Sequence, residues 1–183
     1  MEPVTESDLR AAFVNCSKGE AQRAYIPRDL AERRWPDLDF LGWRDPGTLE
    51  RSYLAAEHDG RLVAVALRIA QQQRKFLARG MCSLCLTVHP GNGVSLMTGR
   101  RTGKAGRNGD SVGLYLCTDL HCSLYIRGIR KPNTGGRMDE TLTVDEQVER
   151  LTGKLTAFFD RLTDRLTDRL TDRTAERAAG VAE

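Results

Sequence analysis

Four cysteines constrain this chain more than any other feature: Cys82-Ser-Leu-Cys85 and, after 31 intervening residues, Cys117-Thr-Asp-Leu-His-Cys122. Each close pair can offer two thiolates from one short turn. A fold that brings the two turns together completes a tetrahedral site. Soft thiolates in a closed four-ligand set favour Zn²⁺. Such a site is structural, because no coordination position is left for a substrate. An iron–sulfur cluster uses the same ligands. A Cys-x-x-Cys redox pair is the other alternative, although that motif opens a helix after a strand and needs no second pair. His121 competes with Cys122 for the last ligand position. Neighbouring side chains on a helix point about 100° apart, so only one of them faces a metal, and Cys122 is the preferred one. His89 reads as a surface residue or a neighbour of the ligands, and His58 as a turn residue. The odd cysteine, Cys16, reads as a small core or helix-face residue.

The chain has 183 residues, of which 40% are hydrophobic and 29% charged. That allows one domain with a modest core, which a metal cross-link would reinforce. The N-terminus has neither the basic start nor the apolar run of a signal peptide. No apolar stretch approaches the roughly 18 residues of a membrane span. A cytoplasmic location is therefore expected, where five cysteines point to metal ligation and not to disulfides.

The net charge of +3 is unevenly spread. Residues 68–137 carry 12 Arg/Lys and two acids, Asp110 and Asp119. The basic block surrounds the cysteines and offers a face for a negative partner such as ribosomal RNA or an acidic protein surface. Part of it would offset the negative charge of a zinc–thiolate centre.

Residues 5–16 read as a helix capped by Thr5 or Ser7, and 27–35 as a short helix opened by Pro27. Residues 37–47 read as an apolar-aromatic loop, with Phe40 and Trp43 as core anchors. Strands at 53–57 and 61–69 flank Asp59-Gly60, a tight hairpin turn. Val63, Val65, Leu67 and Ile69 alternate as in a half-buried strand. Two more strands are expected at 94–98 and 111–116, joined by a glycine-rich, mobile connection over 99–110. A helix follows over 119–130. A capping box, Thr143-Val-Asp-Glu146, opens the last helix, whose stripe is Leu151, Leu155, Phe158 and Leu162. Residues 162–173 repeat Leu-Thr-Asp-Arg three times. A period of four drifts around a helix of 3.6 residues per turn, so this reads as a frayed helical extension before a disordered end.

Gly99-Arg-Arg-Thr-Gly103-Lys104-Ala105 looks superficially like a phosphate-binding P-loop. It has one residue too few between the glycines and no Ser/Thr after the lysine to hold Mg²⁺. As a contact loop it stays of interest: Arg100, Arg101, Lys104 and Arg107 could grip phosphates or carboxylates. No nucleophile–base–orienter set emerges, so no enzyme is expected.

A Cys-x-x-Cys turn, a strand pair and a cysteine pair at a helix start form the layout of a treble-clef zinc finger. In that layout the helix N-terminus lowers the thiol pKa of Cys117 and Cys122. Phe40-Leu-Gly-Trp-Arg-Asp-Pro, Met81-Cys-Ser-Leu-Cys and Leu116-Cys-Thr-Asp-Leu-His-Cys122 resemble the elongation-factor-G-binding family, known for the FusB-type fusidic acid resistance proteins. The resemblance covers about residues 7–160. It implies a treble clef that docks on elongation factor G and helps free it from the ribosome. It also implies Cys82, Cys85, Cys117 and Cys122 as ligands of one structural Zn²⁺. The FusB-type pattern has His at the last ligand position, where this chain has Cys122. Those proteins also carry a helical bundle before the zinc domain, for which Cys82 comes too early here. The expectation is therefore an α+β fold. Residues 1–160 form a single zinc domain with its treble clef at about 80–131, and 161–183 form a repeat extension and tail. The expected function is non-catalytic docking on elongation factor G or the ribosome, with no membrane and no small-molecule substrate. The alternatives are an RNA-binding treble clef using the 99–107 loop and, more remotely, a thiol redox enzyme.

Overall fold

Two alternating runs around Asp59-Gly60 form the hairpin on which the fold is built. The computed structural model describes residues 1–70, 79–132, 136–137 and 139–163. Along the chain the elements are α1 (Glu6–Ala12), α2 (Lys18–Arg23), β1 (Leu41–Arg44), β2 (Arg51–His58), β3 (Arg61–Ile69), β4 (Arg79–Met81), β5 (Thr87–Pro90), β6 (Val94–Arg100), α3 (Gly103–Arg107), β7 (Ser111–Cys117), α4 (Cys122–Ile126), β8 (Gly136–Arg137) and α5 (Val144–Thr163). In the β2–β3 turn Asp59 and Gly60 take φ of 50° and 70°. This left-handed pair matches the twist of the flanking strands.

The main sheet has the order β1-β2-β3-β6-β7, with each neighbouring pair antiparallel. A smaller sheet, β4-β5-β8, carries the first cysteine turn. β3 is shared between two neighbours. Its end pairs with β6 through Arg68↔Thr98 and Ile69↔Met97, while Ala64 is bridged in parallel by Phe13. Asn15 fills the fork where β3 and β6 part. Its Nδ2 donates to Ala66 O (2.9 Å) and Arg100 O (3.3 Å), and its Oδ1 accepts from Ala66 N (2.8 Å).

Both faces of the sheet are covered, so β3 is more buried than alternation alone predicts. Val63, Val65 and Leu67 face a core with Phe40, Met97, Leu116 and the α5 side chains Leu151, Leu155, Phe158 and Leu162. Ala64 faces a second core with Leu9, Leu41, Trp43 and Tyr53. Trp43 stacks on Tyr53 at 5.3 Å between ring centroids, and Phe13 meets both edge-on. Phe40 and Trp43 are thus core anchors, as read from the sequence. The α5 capping box forms: Thr143 N donates to Glu146 Oε2 (2.7 Å) and Glu146 N to Thr143 Oγ1 (3.3 Å).

Several local readings need correction. The first helix stops at Ala12, because Phe13 turns extended to bridge β3. A second helix, α2, follows with its own Ser17–Glu20 capping box. Residues 27–35 hold no α-helix, only 3₁₀ turns at Leu30–Glu32 and Trp35–Asp37. A segment bracketed by Pro27 and Pro36 is too short to offset helix nucleation. Residues 37–47 are not all loop, since Leu41–Arg44 is edge strand β1. The 119–130 helix shrinks to Cys122–Ile126, bounded by Leu120 at φ 58° and Gly128 at φ 66°. The 99–110 connection is not an open mobile loop. It folds into α3, and a Cβ at Gly106 would sit 1.7 Å from the Arg101 carbonyl oxygen. The glycine there serves close packing. His58 is no turn residue. It ends β2 and is buried, with Nε2 3.2 Å from Asp160 Oδ1 and its ring edge-on to Phe159. Of the Leu-Thr-Asp-Arg repeat, everything after Thr163 lies outside the described residues. Among the described residues no helix is long and apolar enough to cross a membrane.

Candidate metal centre

Two turns, each entered from a strand, carry the cysteines. β4 runs into the first, which is closed by Leu86 N donating to Cys82 O (3.1 Å) and Cys82 N to Thr87 O (3.0 Å). Closure requires Leu86 to take φ 56°. For a residue with a Cβ this left-handed conformation costs roughly 1–2 kcal/mol, so the surroundings must hold it. β7 ends on Cys117, and Leu120 N donates back to Cys117 O (2.9 Å). Asp119 fixes this second turn by accepting from His121 N (3.2 Å) and Tyr125 Oη (2.8 Å). The chain then enters α4 with Cys122 as its first residue. Cys122 alone sits at a helix start, whereas Cys117 belongs to a strand. The turns are docked by Ser83 N donating to Tyr115 O (2.7 Å) and by Lys154 Nζ of α5 donating to Ser83 O (2.7 Å).

The four sulfur atoms converge. All lie within 4.8 Å of one another, and all four residues are completely buried. Cys82–Cys122 and Cys85–Cys117 are 3.6 Å and 3.5 Å apart, sulfur to sulfur. A tetrahedron with Zn–S bonds of about 2.3 Å has edges of about 3.8 Å. The donor set thus fits one four-coordinate ion. It is too compact for a multi-iron cluster, whose thiolates are spread over several metal atoms. Convergence of four sulfurs is also unlike an isolated redox pair. Hydrogen bonds with Cys117, Cys122 and Cys85 hold the Cys82 thiol well below its usual range. Those with Cys117, Cys82 and Cys85 push the Cys122 thiol well above it, against the lowering expected of a helix start. Several thiolates cannot share this buried volume without a cation to neutralise them. The cofactor that fits is one structural Zn²⁺.

The strand after the first turn adds two neighbours to the sulfurs, Thr87 and His89, and makes His89 a neighbour of the ligands and not a surface residue. Thr87 Oγ1 lies 3.2 Å from Cys85 Sγ, and His89 Nε2 lies 3.4 Å from Cys117 Sγ. Both are buried, and His89 packs edge-on to Tyr125. Their spacing of two puts both on one face of β5, and that pattern after Cys85 was the available signal. His121 stays outside the sulfur cluster, with Nδ1 3.4 Å from Asp119 Oδ2. Cys16 also stands apart, half-buried, its thiol pushed up to about 11 by burial and by the Glu20 charge. Of the basic loop residues, Arg100, Lys104 and Arg107 are exposed, while the half-buried Arg101 donates from Nε to Arg161 O (3.1 Å).

Gly42 of β1 passes directly over Leu120. A Cβ there would lie 2.4 Å from Leu120 Cβ and 3.1 Å from the Phe40 ring. Gly42→Ala is expected to destabilise the protein by about 1–3 kcal/mol through overpacking. A denaturant midpoint checks this, and an unchanged midpoint would refute the packing assignment.

A family model described as the FBP C-terminal treble-clef zinc-finger matches residues 8–162. Comparison with curated protein sequences finds no match. Among solved structures, the fusidic acid resistance protein FusC is similar, at 17% identity and a TM-score of 0.49 over 67% of this chain and 52% of that one. The chain thus spans about half the length of that structure. The match to the family model extends over most of the sequence and includes both cysteine turns: the chain belongs to the FBP C-terminal treble-clef zinc-finger family.

Proposed function

We propose that this protein is a non-catalytic, zinc-stabilised docking module of the cytoplasm whose partner is elongation factor G, alone or on the ribosome. In this reading Cys82, Cys85, Cys117 and Cys122 hold the Zn²⁺, and residues 1–160 act as one unit. The observation that carries the proposal is the buried, four-thiolate donor set in a chain of this family. A closed set has no position for a substrate, so the centre serves to shape a surface. Lys104 and Arg107, exposed on α3, supply cations that suit an acidic partner face. Arg100 and Arg101 flank that helix, with Arg101 partly committed to anchoring α5.

The test is direct. Purified elongation factor G and ribosomes are passed over the immobilised full chain at moderate salt. Retention of elongation factor G is expected. Lys104→Glu with Arg107→Glu should weaken it by roughly tenfold or more, with thermal stability unchanged. Retention of neither factor nor ribosomes would sink the proposal. Retention of ribosomal RNA alone, falling steeply with salt, would instead favour the RNA-binding module.

A further inference from the structure

The fork between β3 and β6 opens into a cleft of about 240 Å³, of which the docking reading uses only Arg100. Three arginines line it: Arg51, Arg68 and Arg100. The strand register places them on one face. Arg51 pairs directly with Arg68, and Arg68 with Thr98. Arg100 lies two residues beyond Thr98 and pairs with Ser111. Because side chains alternate along a strand, all five point to the same side of the sheet. That side is also the side of Asn15 and Tyr53, which line the same cleft.

This arrangement is unfavourable on its own terms. Like charges directly opposite across two strands repel, and here a third joins them on the next strand. All three arginines are exposed, and among the described residues no carboxylate forms an ion pair with any of them. The one acid in the lining is Glu20. Its carboxylate accepts from Ser17 N (2.8 Å) and Ser17 Oγ (2.7 Å) and is attracted by the Arg100 charge without forming an ion pair, so one acid faces three arginines. The Ser111 hydroxyl is a further donor on the wall, that of Thr98 already donates to Arg68 O (3.5 Å), and Ala24, Ala66 and Leu67 supply apolar surface. Guanidinium forks, a hydroxyl donor and an excess of positive charge in a concave site are the elements of oxyanion recognition.

We propose that this cleft binds a phosphate-bearing ligand, with Arg51, Arg68 and Arg100 as its charged contacts. Three guanidiniums match a dianionic or longer phosphate better than a single carboxylate. The cleft shares only Arg100 with the docking proposal. It is tested on Arg51 and Arg68, which the docking test leaves untouched.

The experiment is calorimetric titration of the full zinc-loaded chain with inorganic pyrophosphate, and with acetate in parallel. Saturable pyrophosphate binding is expected, and Arg51→Gln or Arg68→Gln should weaken it by roughly tenfold or more. A second readout moves the other way. With ligand absent, Arg68→Gln should leave thermal stability unchanged or raised, because it relieves the cross-strand repulsion. Its pyrophosphate-induced stabilisation should shrink while its zinc content stays stoichiometric. Competition by a nucleoside diphosphate would identify a free nucleotide as the source, and competition by a short single-stranded RNA would identify a nucleic-acid backbone. Either result supports phosphate recognition. Three results would overturn it: no pyrophosphate binding by the wild-type chain at millimolar concentration, equal binding by Arg68→Gln, or acetate binding as tight as pyrophosphate.

Discussion

Cys82→Ser or Cys117→Ser is expected to release the zinc and unfold the region around it. The reason is energetic. A structural zinc site contributes about 10–16 kcal/mol at neutral pH, whereas a domain of this size has a total stability of only about 5–15 kcal/mol. A serine hydroxyl is a poor substitute for a thiolate on Zn²⁺. The remaining three cysteines would stay buried and mutually repelling once ionised. The two turns also carry Leu86 and Leu120 in the left-handed region, conformations that persist only where the surroundings over-determine them. Metal analysis should find stoichiometric zinc in the wild type and little in either variant, and near-ultraviolet dichroism should report loss of packing around Tyr125. Cys16→Ser is the control. Cys16 lies outside the sulfur cluster, so this variant should keep both metal and stability. A Cys117→Ser protein with stoichiometric zinc and native stability would refute the ligand assignment.

The parts of this fold that were legible in the sequence are those with a strong local rule. Cysteine spacing names a metal site because ligand geometry permits little else. Asp59-Gly60 names a hairpin because few residues tolerate two successive positive φ values. Thr143 and Glu146 name a helix start through reciprocal hydrogen bonds. Each of these signals is complete within a few residues, and the structure has all three.

The misread segments are those whose conformation is decided by distant neighbours. Leu41–Arg44 is a strand because β2 offers it a ladder, and its Gly42 is needed only because Leu120 lies above it. Gly106 looked like a source of flexibility, yet it is pressed against the Arg101 carbonyl. Residues 119–121 carry helix-forming signals. Joining the end of β7 to the sulfur cluster instead demands a tight turn, which postpones the helix to Cys122. His58 offered no pattern at all, because its partner Asp160 lies on the last helix. Of the neighbours of the sulfurs, His89 was one of two readings of a histidine four residues after Cys85, whereas Thr87 was readable only from the period of two that follows Cys85.

Phe158→Ala should be the most damaging substitution outside the metal ligands. Phe158 is completely buried in the core that joins α5, the sheet and the cysteine turns. Truncating a buried phenylalanine costs about 3–5 kcal/mol, from lost burial and from the cavity left behind. α5 is also tied to the other elements by backbone contacts that its packing keeps in register. Lys154 reaches the first cysteine turn, while the carbonyls of Arg161 and Leu162 accept from Arg101 Nε and Thr102 N. Loosening the helix therefore weakens both the metal-bearing turn and the base of the β6–β7 connection. The four sulfurs come from outside α5 and are not removed. The variant should therefore bind zinc stoichiometrically at low temperature yet unfold at a melting temperature lower by roughly 6–20 °C. Loss of zinc from a still-folded Phe158→Ala protein would show that α5 positions the ligands directly. An unchanged melting temperature would show that α5 does not close the core. The expected pattern, metal retained and stability lost, separates the two roles: the cysteines hold the turns together, and the helix holds the turns against the sheet.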